Sequence, residues 1–521
     1  MLVSAPHRPV PRPAAAAPPR AGRREWLGLA VLFLPTVIVA IDGTVLSFAL
    51  PAISAALAPS AVQLLWIVDV YPLALAGLLV TMGTLGDRIG RRLLLLVGVA
   101  GFGAVSLFAA FATDAVQLIV ARALLGFFGA MLMPATLALL RTLFLDRAQR
   151  RLALAIWATG FAAGAALGPV VGGVLLEHAW WGSVFLVNTP VMVLLLVAGA
   201  LVLPETRTNR PGRVDALGLA LSLLTMVPFV LAVKTVASEG VTGRALAELG
   251  VAVLAGTLFV RRARARLRAG EEPILDVELF ASPVLRASAL ANATTMFALT
   301  GLLFLAAQHL QLVSGLTPLR AGLVLLPGFL VTMAAGLAAA RLARRFPLRL
   351  LVPTGLGLAA AGYAVLLALG PGTASGAGLL VAASVLVGTG IGLSETLAND
   401  AILGAAPPDR AGSASAVSET AYEVGAVLGT AVLGSVLGAV YTASVAVPTS
   451  VGPRSAEIAR ETIGGAVGVA DRLTGAEGEA LRESARAAFV HGVTVTAGVA
   501  TATLLVVATI VVLGLRGAAR R

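Results

Sequence analysis

The chain has 521 residues, of which 58% are hydrophobic and 12% are charged, and its formal net charge is +12. Soluble domains carry about 25% charged residues, so this composition, with a mean hydropathy of +0.95, excludes a soluble globular protein and indicates many membrane spans. No nucleic-acid partner is expected, because the basic residues lie mostly in loops between apolar runs.

Several kinds of site are excluded by single residue types. The chain has no cysteine, so neither a disulfide nor a thiolate metal site can form. Its four histidines are scattered along the chain and make no ligand cluster, and its one lysine, Lys234, is not part of a phosphate-binding P-loop. No nucleophile–base set is found either. We therefore expect a protein that is not an enzyme and has no cofactor or metal.

The N-terminal tail, residues 1–25, is rich in Pro, Ala and Arg and is predicted to be disordered and cytoplasmic. Arg23 and Arg24 precede the first apolar run, from Trp26 to Ile53. This run is longer than the core of about 7–15 residues that a signal peptide has. We predict that it is the first span, rather than an export signal.

Further apolar runs follow, each close to the length of about 20 residues that crosses a bilayer as a helix. They cover residues 63–85, 93–112, 115–140, 152–176, 184–203, 215–236, 246–260, 287–311, 319–340, 348–369, 376–398, 413–440 and 489–515. Arginines concentrate in alternate loops, which places those loops on the cytoplasmic side. The predicted fold is an all-α membrane protein with fourteen transmembrane helices and both termini cytoplasmic, in the cytoplasmic (inner) membrane.

A glycine-rich basic turn joins the second and third runs. It contains Gly83, Gly86, Asp87, Arg88, Gly90, Arg91 and Arg92. Residues 336–345 are a degenerate copy of this turn that keeps three arginines but has no acidic residue. Repeated halves of this kind place a substrate path between them, near the bilayer midplane.

The repeat suggests a domain organisation in two bundles. We expect a six-helix bundle over 26–203, two extra helices with a cytoplasmic linker over 204–286, a second bundle over 287–515, and a cytoplasmic tail over 516–521. Within the second bundle, residues 441–488 are predicted to form a partly helical external cap.

The sequence resembles the major facilitator superfamily, in its fourteen-span drug:proton antiporter branch (EmrB/QacA-like). The resemblance covers nearly the whole chain. The turn described above is similar to the signature loop of that superfamily, and Ile41 to Val45, followed by Ala49-Leu50-Pro51, is similar to the first-span motif of the branch. The antiporter motif of the fifth span is matched by Gly160, Gly164, Gly168, Pro169, Gly172 and Gly173, followed by Trp181, Phe185, Asn188 and Pro190. The fourth-span motif is matched by Arg122 and Gly126, with Leu125 where a glutamine is usual.

Ionisable groups inside a bilayer are costly, so they are candidates for function. Asp42 lies about 24 Å from the cytoplasmic end of its span, at 1.5 Å per residue, and Asp69 in the next span lies at a similar depth. Removal from water favours the protonated form of a carboxylate, as a reversible proton carrier requires. For each residue the alternative is a structural aspartate that caps a helix or accepts hydrogen bonds.

Arg122 is the one arginine deep inside a predicted span. A buried charge without a partner is expensive, so Arg122 needs a carboxylate or several carbonyl groups. We expect it to bias a proton-carrying acid, with Asp42 as the best candidate. A purely structural arginine is the alternative.

Glu419 and Glu423 lie one turn apart on one face of the thirteenth span, beside Tyr422. The resemblance implies that acids in this stretch serve coupling and cationic drug recognition, Glu419 first and Glu423 second. The alternative is a pair that holds this helix against an arginine or a carbonyl. Glu395 and Asp400, in the preceding span, are expected to cap helices or to pair with an arginine at position 410.

Glycines at four-residue steps along the fifth span form a smooth stripe that another helix can approach closely. Pro169 removes a backbone donor and weakens the helix there. We expect a close, bendable contact between the two halves, and a plain packing stripe is the alternative. In the basic turn, Asp87 is expected to cap a helix or to pair across the cytoplasmic face, for example with Arg141 or with the start of the eleventh span. Such contacts form when that face is closed and would favour the outward-open state.

The resemblance and these acids together predict a proton-driven exporter of hydrophobic, cationic small molecules that acts by alternating access. Its expected partners are the substrate, protons and the lipid bilayer, and it is expected to be a monomer. Trp66, Trp157 and Tyr422 are the expected aromatic walls of its cavity. Two alternatives stay open, namely a dedicated exporter of one metabolite, such as an antibiotic made by the same cell, and a sensor that binds ligand without transporting it.

Overall fold

A computed structural model of the chain describes residues 20–205, 215–271, 273–370, 376–406, 411–473 and 475–518. Over these residues the secondary structure is helical, without strands. Fourteen helices are long and apolar enough to cross a membrane. The fourteen-span prediction is therefore confirmed. Of the tails predicted over 1–25 and 516–521, residues 1–19 and 519–521 lie outside the described residues, as does Arg410. Residues 23–25 and 516–518 belong to the first and last helices, so the tail prediction is wrong there.

The first bundle contains six spans. Its helices are α1 (Arg23–Leu57), α2 (Ala61–Ile89), α3 (Arg91–Ala110), α4 (Ala115–Leu143), α5 (Arg147–His178), α6 (Ser183–Leu186) and α7 (Asn188–Val202), the last two forming one span. Polar side chains start these helices where the chain turns at the outer face. Ser60 accepts a hydrogen bond from the Gln63 amide (3.2 Å) and Asp114 accepts one from the Gln117 amide (2.9 Å).

The two extra spans form a helical hairpin, α8 (Ala216–Glu239) and α9 (Gly243–Arg268). At its inner end Asp215 pairs with Arg262 (2.7 Å) and caps α8 through the Gly218 amide (2.8 Å). Burial acts to raise the pKa of Asp215, but the hydrogen bonds from Arg262 and Gly218 outweigh it, so the net pKa is lowered. This clamp at the inner end therefore stays ionised near neutral pH.

The second bundle contains the remaining six spans. Its helices are α10 (Pro283–Gln308), α11 (Pro318–Leu342), α12 (Leu348–Val365), α13 (Gly376–Gly404), α14 (Ala411–Leu428), α15 (Ser435–Ser444) and α18 (Ala476–Ala518). A π-helical turn, His309–Val313, extends α10, and a second one, Gly429–Gly434, joins α14 to α15. Both turns lie in the outer half of the molecule.

An external cap follows α15 and contains α16 (Pro453–Glu461) and α17 (Ile463–Ala470). Glu461 accepts a hydrogen bond from the Ala61 amide at the start of α2 (2.8 Å), and Tyr441 of α15 donates one to the Ala459 carbonyl (2.9 Å). The cap thus contacts both bundles at their outer ends.

Several contacts that join the two bundles lie in the outer half of the molecule. The Pro169 carbonyl of α5 lies 2.5 Å from the position that a Cβ of Gly322 in α11 would take. Gln311 donates a hydrogen bond to the Phe48 carbonyl (3.0 Å). At the inner ends, Arg141 and Glu419 are exposed. The molecule is therefore closed on the outside and open towards the cytoplasm.

The glycine stripe of α5 does not face the other half, so that part of the prediction is wrong. Its members pack against α1 of the same bundle, where a Cβ at Gly164 would lie 2.5 Å from the Val37 carbonyl oxygen and 2.7 Å from the Ala40 Cβ. Residues one position further along the helix are rotated by about 100°, so Pro169 and Gly173 are the ones that face α11.

Substitution of Gly164 by valine is expected to lower the free energy of unfolding by about 2 kcal/mol, because the added methyl groups meet rigid backbone. The measurement is the melting temperature of the detergent-purified protein. Gly250→Ala is the matched control, because a Cβ there meets nothing within 4 Å. Equal melting temperatures for both variants would contradict the close α1–α5 contact.

Candidate functional site

A cavity of about 350 Å³ lies between the two bundles, at the level where several buried charges meet. Most of its lining is apolar. The polar and charged side chains that reach it include Tyr71, Tyr422, Arg122, Glu395 and Glu423. It is a mainly apolar pocket with a few polar groups, as expected of a small-molecule site.

Asp42 and Arg122 form a buried ion pair beside this cavity. Arg122 Nη1 lies 2.6 Å from Asp42 Oδ2, and the two side chains are 2% and 0% exposed. Arg122 also donates to the Ile67 carbonyl (3.2 Å), while Asn188 donates to the other Asp42 oxygen (3.2 Å). The guanidinium stacks 4.4 Å from the centre of the Tyr71 ring. Spans one, two, four and six therefore meet at one carboxylate, with the partner that the sequence analysis expected for Arg122.

Asp69 lies on a different side of α2, against the extra hairpin. Its Oδ2 is 2.8 Å from Nζ of Lys234 in α8, and the two side chains are 0% and 2% exposed. The lysine also lies 4.0 Å from the centre of the Trp66 ring. Sequence reasoning missed Lys234 as a site residue. The signal was available, because a single lysine inside an apolar run requires a partner.

Three glutamates of the second bundle surround the cytoplasmic side of the cavity. Glu423 in α14 and Glu395 in α13 are partly buried and line it, and Glu419, one turn below Glu423, is exposed towards its mouth. Glu395 and Glu423 are both close enough to Glu419 to interact electrostatically with it. Within the described ranges none of the three has a cationic partner.

Glu395 was expected to cap a helix or to pair with Arg410. The capping part is wrong, and Arg410 lies outside the described residues. Glu395 lies nine residues before the end of α13 and faces the cavity, because its position on the helix matches that of Ile391 one turn earlier. Asp400 is exposed near the inner end of α13. The glutamate was missed because spacing alone does not show which face of α13 meets the other bundle.

Only one of the three expected wall aromatics lines the cavity. Tyr422 does so, but Trp66 faces Lys234 instead, and Trp157 packs edge-on against Phe161, whose ring reaches the cavity in its place. The other aromatic walls are Tyr71 and Phe329. Trp66 precedes Asp69 by three residues, so both point from the same face of α2 towards α8.

The basic turn ties the inner ends of four spans together. Asp87 accepts from Arg91 within the turn (3.0 Å), and Arg92 donates to the Ala200 carbonyl of α7. Gly90 between α2 and α3 has φ +115°, a conformation that favours glycine. Earlier in the turn, Gly86 packs under Leu94 and Gly83 packs under Pro134, while Arg88 is exposed. In this cytoplasm-open form Asp87 is paired locally, not with Arg141.

Comparison with known proteins agrees with this architecture. The sequence profile described as Major Facilitator Superfamily matches residues 32–430. The multidrug efflux pump LfrA of Mycolicibacterium smegmatis is 50% identical over 492 residues, which cover 94% of this chain and 96% of the relative. The methyl viologen resistance protein SmvA of Salmonella typhimurium is 35% identical over 93% of this chain and 97% of its own length.

Two further comparisons extend the range of relatives. The tetracenomycin C resistance and export protein of Streptomyces glaucescens is 35% identical over 94% of this chain and 91% of its own length. An inward-facing crystal structure of a bacterial homologue of the human lysosomal transporter Spinster has a TM-score of 0.65 and 17% identity, over 95% of this chain and 98% of that one. The fold, the fourteen spans and the sequence match together show that this multi-pass membrane protein belongs to the Major Facilitator Superfamily.

Proposed function

We propose that the protein exports hydrophobic, cationic small molecules from the cytoplasm in exchange for protons. The observation that carries this proposal is the charge arrangement of the cavity. Asp42, the first-bundle carboxylate beside the cavity, has a cationic partner, while Glu395, Glu419 and Glu423 of the second bundle have none among the described residues. Unpartnered carboxylates beside apolar walls favour a ligand that is both cationic and apolar.

Substrate binds first to the second bundle in this mechanism. A cation that enters from the cytoplasm meets Glu419 at the mouth and then Glu423 and Glu395 inside. At 4 Å a pair of unit charges attracts by about 4 kcal/mol where the effective dielectric constant is near 20. Tyr422 and Phe329 supply apolar contact without demanding one substrate shape.

Proton binding acts on the first bundle. A proton on Asp42 removes the countercharge of Arg122, whose remaining contacts are the Ile67 carbonyl and the Tyr71 ring. Leaving that guanidinium buried is unfavourable, so the protonated state favours a different packing of α1, α2 and α4. The proton and the substrate then prefer opposite conformations, which is the requirement for exchange.

The names of the relatives support drug export and leave the breadth of substrates open. A multidrug pump is 50% identical, and a resistance protein for methyl viologen, a cation, is 35% identical. The tetracenomycin C exporter favours a second candidate, a dedicated exporter of one metabolite. Since the cavity lies within one chain, we propose that a monomer is sufficient for transport.

The test is transport by purified protein in liposomes with an imposed pH gradient. We expect ethidium and quaternary ammonium dyes to move against their gradients, and to stop when an uncoupler collapses the pH gradient. A dedicated metabolite exporter would move none of these dyes. Lack of any gradient-driven movement across a panel of dyes and antibiotics would refute the proposed function.

Substitution of Asp87 by asparagine is expected to lower export by about tenfold, because the turn loses its carboxylate for contacts of the inside-closed state. Membrane insertion should be unaffected, since Gly90 and Arg92 still shape and anchor the turn. The measurement is the initial rate of dye export at equal expression, with Asp114→Asn at an exposed outer helix cap as the control. Wild-type export by Asp87→Asn would rule out the latch.

A further inference from the structure

The extra hairpin supplies one half of a buried ion pair that does not touch the central cavity. Lys234 in α8 and Asp69 in α2 are 2.8 Å apart and almost completely buried, and Trp66 covers the lysine at 4.0 Å. Neither charge lines the cavity. The pair therefore has no direct part in holding a substrate there.

The outer half of α8 lies in the seam between the two bundles. Val230 of α8 packs in one buried cluster with Leu73 of α2 and with Val427 and Ala431 of the thirteenth span. The helix also contacts α15. Movement of one bundle relative to the other must therefore disturb α8, which cannot keep both sets of contacts.

The two helices of the hairpin are tied to each other at both ends, so we expect the hairpin to move as a unit. At the outer end Thr235 of α8 donates to Glu248 of α9 (2.9 Å), which also binds Arg244 (3.0 Å). At the inner end the Asp215–Arg262 pair holds the two helices together. Within the membrane the hairpin is attached to the first bundle by apolar packing, for example of Leu223 on Gly77, and by the Asp69–Lys234 pair. The pair lies about 12 Å below the outer end of α2 at 1.5 Å per residue.

We propose that Lys234 is a positioning residue of the proton cycle, which acts through Asp69 to hold α8 in the seam while the outside is closed. A proton on Asp69 removes the countercharge of a buried ammonium, which is unfavourable where it stands. The outer part of α8 then leaves the seam, and the outer ends of α2 and the thirteenth span separate. The extra hairpin is thereby a proton-released wedge, and this role rests on the antiport proposed above.

Other charged groups near Asp69 are engaged elsewhere. Arg122 of α4 is held by Asp42, and Glu423 of α14 faces the cavity. From α8, Lys234 is the charged group that faces Asp69, and Glu248 of α9 is engaged by Thr235 and Arg244. Protonation of Asp69 is therefore the local charge change that reaches α8.

The first test is transport by charge variants. Lys234→Met and Asp69→Asn should each lower pH-gradient-driven ethidium export by about tenfold or more. Each substitution removes one charge of the pair and leaves the other buried without its countercharge. Lys234→Arg keeps the charge and should retain most of the activity. The double variant Asp69→Asn/Lys234→Met has no unpaired charge, so it should fold normally and still be defective. Wild-type coupling in the double variant would overturn the proposal.

The second test measures the motion itself. The chain has no cysteine, so Val62→Cys in α2 and Val236→Cys in α8, both exposed, can carry one spin label each. Acidification from about pH 8 to about pH 5 should lengthen the distance between the spin labels at positions 62 and 236 when the Asp69–Lys234 pair is intact. In the background of the double charge variant the distance should not respond to pH. A Val236→Cys/Leu246→Cys pair within the hairpin should stay constant in both.

The outcomes separate this inference from the proposed function. If the unsubstituted protein shows no proton-driven export, the antiport fails, whereas the label distances still report on the ion pair. If export is proton-driven but the Val62–Val236 distance ignores pH, or responds equally without the ion pair, the wedge is refuted. A lengthened distance that requires both Asp69 and Lys234 supports it.

Discussion

Replacement of Asp42 by asparagine is expected to reduce proton-driven export by about 100-fold or more, because the first-bundle carboxylate that exchanges a proton is lost. Dye binding should persist, since Glu395 and Glu423 still line the cavity. The measurement combines dye export under a pH gradient with dye binding at equilibrium in the same liposomes. A loss of export with retained binding separates coupling from recognition.

The control for this variant removes the second charge as well. Asp42→Asn leaves Arg122 buried without its countercharge, and breaking a buried pair costs about 3–5 kcal/mol. The double variant Asp42→Asn/Arg122→Met has no such charge and should recover stability without recovering export. Proton-driven export by either variant would show that Asp42 is not the coupling carboxylate.

The double variant Glu419→Gln/Glu423→Gln is expected to weaken the binding of cationic dyes by about 100-fold. Two unit charges 4 Å apart attract by about 4 kcal/mol where the effective dielectric constant is near 20. Desolvation of the charges offsets part of this, and about 1.4 kcal/mol corresponds to a factor of ten in Kd. The measurement is the Kd of a fluorescent quaternary ammonium dye, compared with that of a neutral apolar dye of similar size. The neutral dye should lose less binding affinity than the cationic dye.

Asp400→Asn is the matched control for these glutamates. Asp400 is also acidic, exposed and near the inner end of the second bundle. It neither lines the cavity nor interacts electrostatically with Glu395 or Glu423, so its loss should leave the binding of both dyes unaffected. If binding of the neutral dye weakens as much as binding of the cationic dye, the glutamates act through packing and not through charge. That result would remove the electrostatic basis of the proposed recognition.

Much of the fold followed from the sequence because its determinants are local. Apolar length and the distribution of arginines predict the fourteen spans and their direction, and no long-range contact is needed for either. The pairing of Arg122 with Asp42 was also predictable, since a buried guanidinium needs a carboxylate and few were available. These predictions required only the depth of each residue in the membrane, which follows from counting residues along its span.

The rest depended on which face of each helix meets which neighbour. Lys234 and Glu395 were both visible as charges in apolar runs, but their partners are set by the rotation of α8 and α13. The same uncertainty misplaced Trp66 on the cavity wall and the Gly164 stripe between the halves. A single helical sequence that is apolar on all sides gives no preferred face, so only tertiary packing resolves these positions.

The external cap has a consequence for inhibition. Glu461 binds the start of α2 while Tyr441 binds the same helix of the cap from α15, so the cap spans the line along which the bundles must part. An antibody fragment that clamped α16 and α17 in this arrangement would arrest the pump without crossing the envelope. Resistance to such an inhibitor could not arise by exporting it, because it would never reach the cytoplasm.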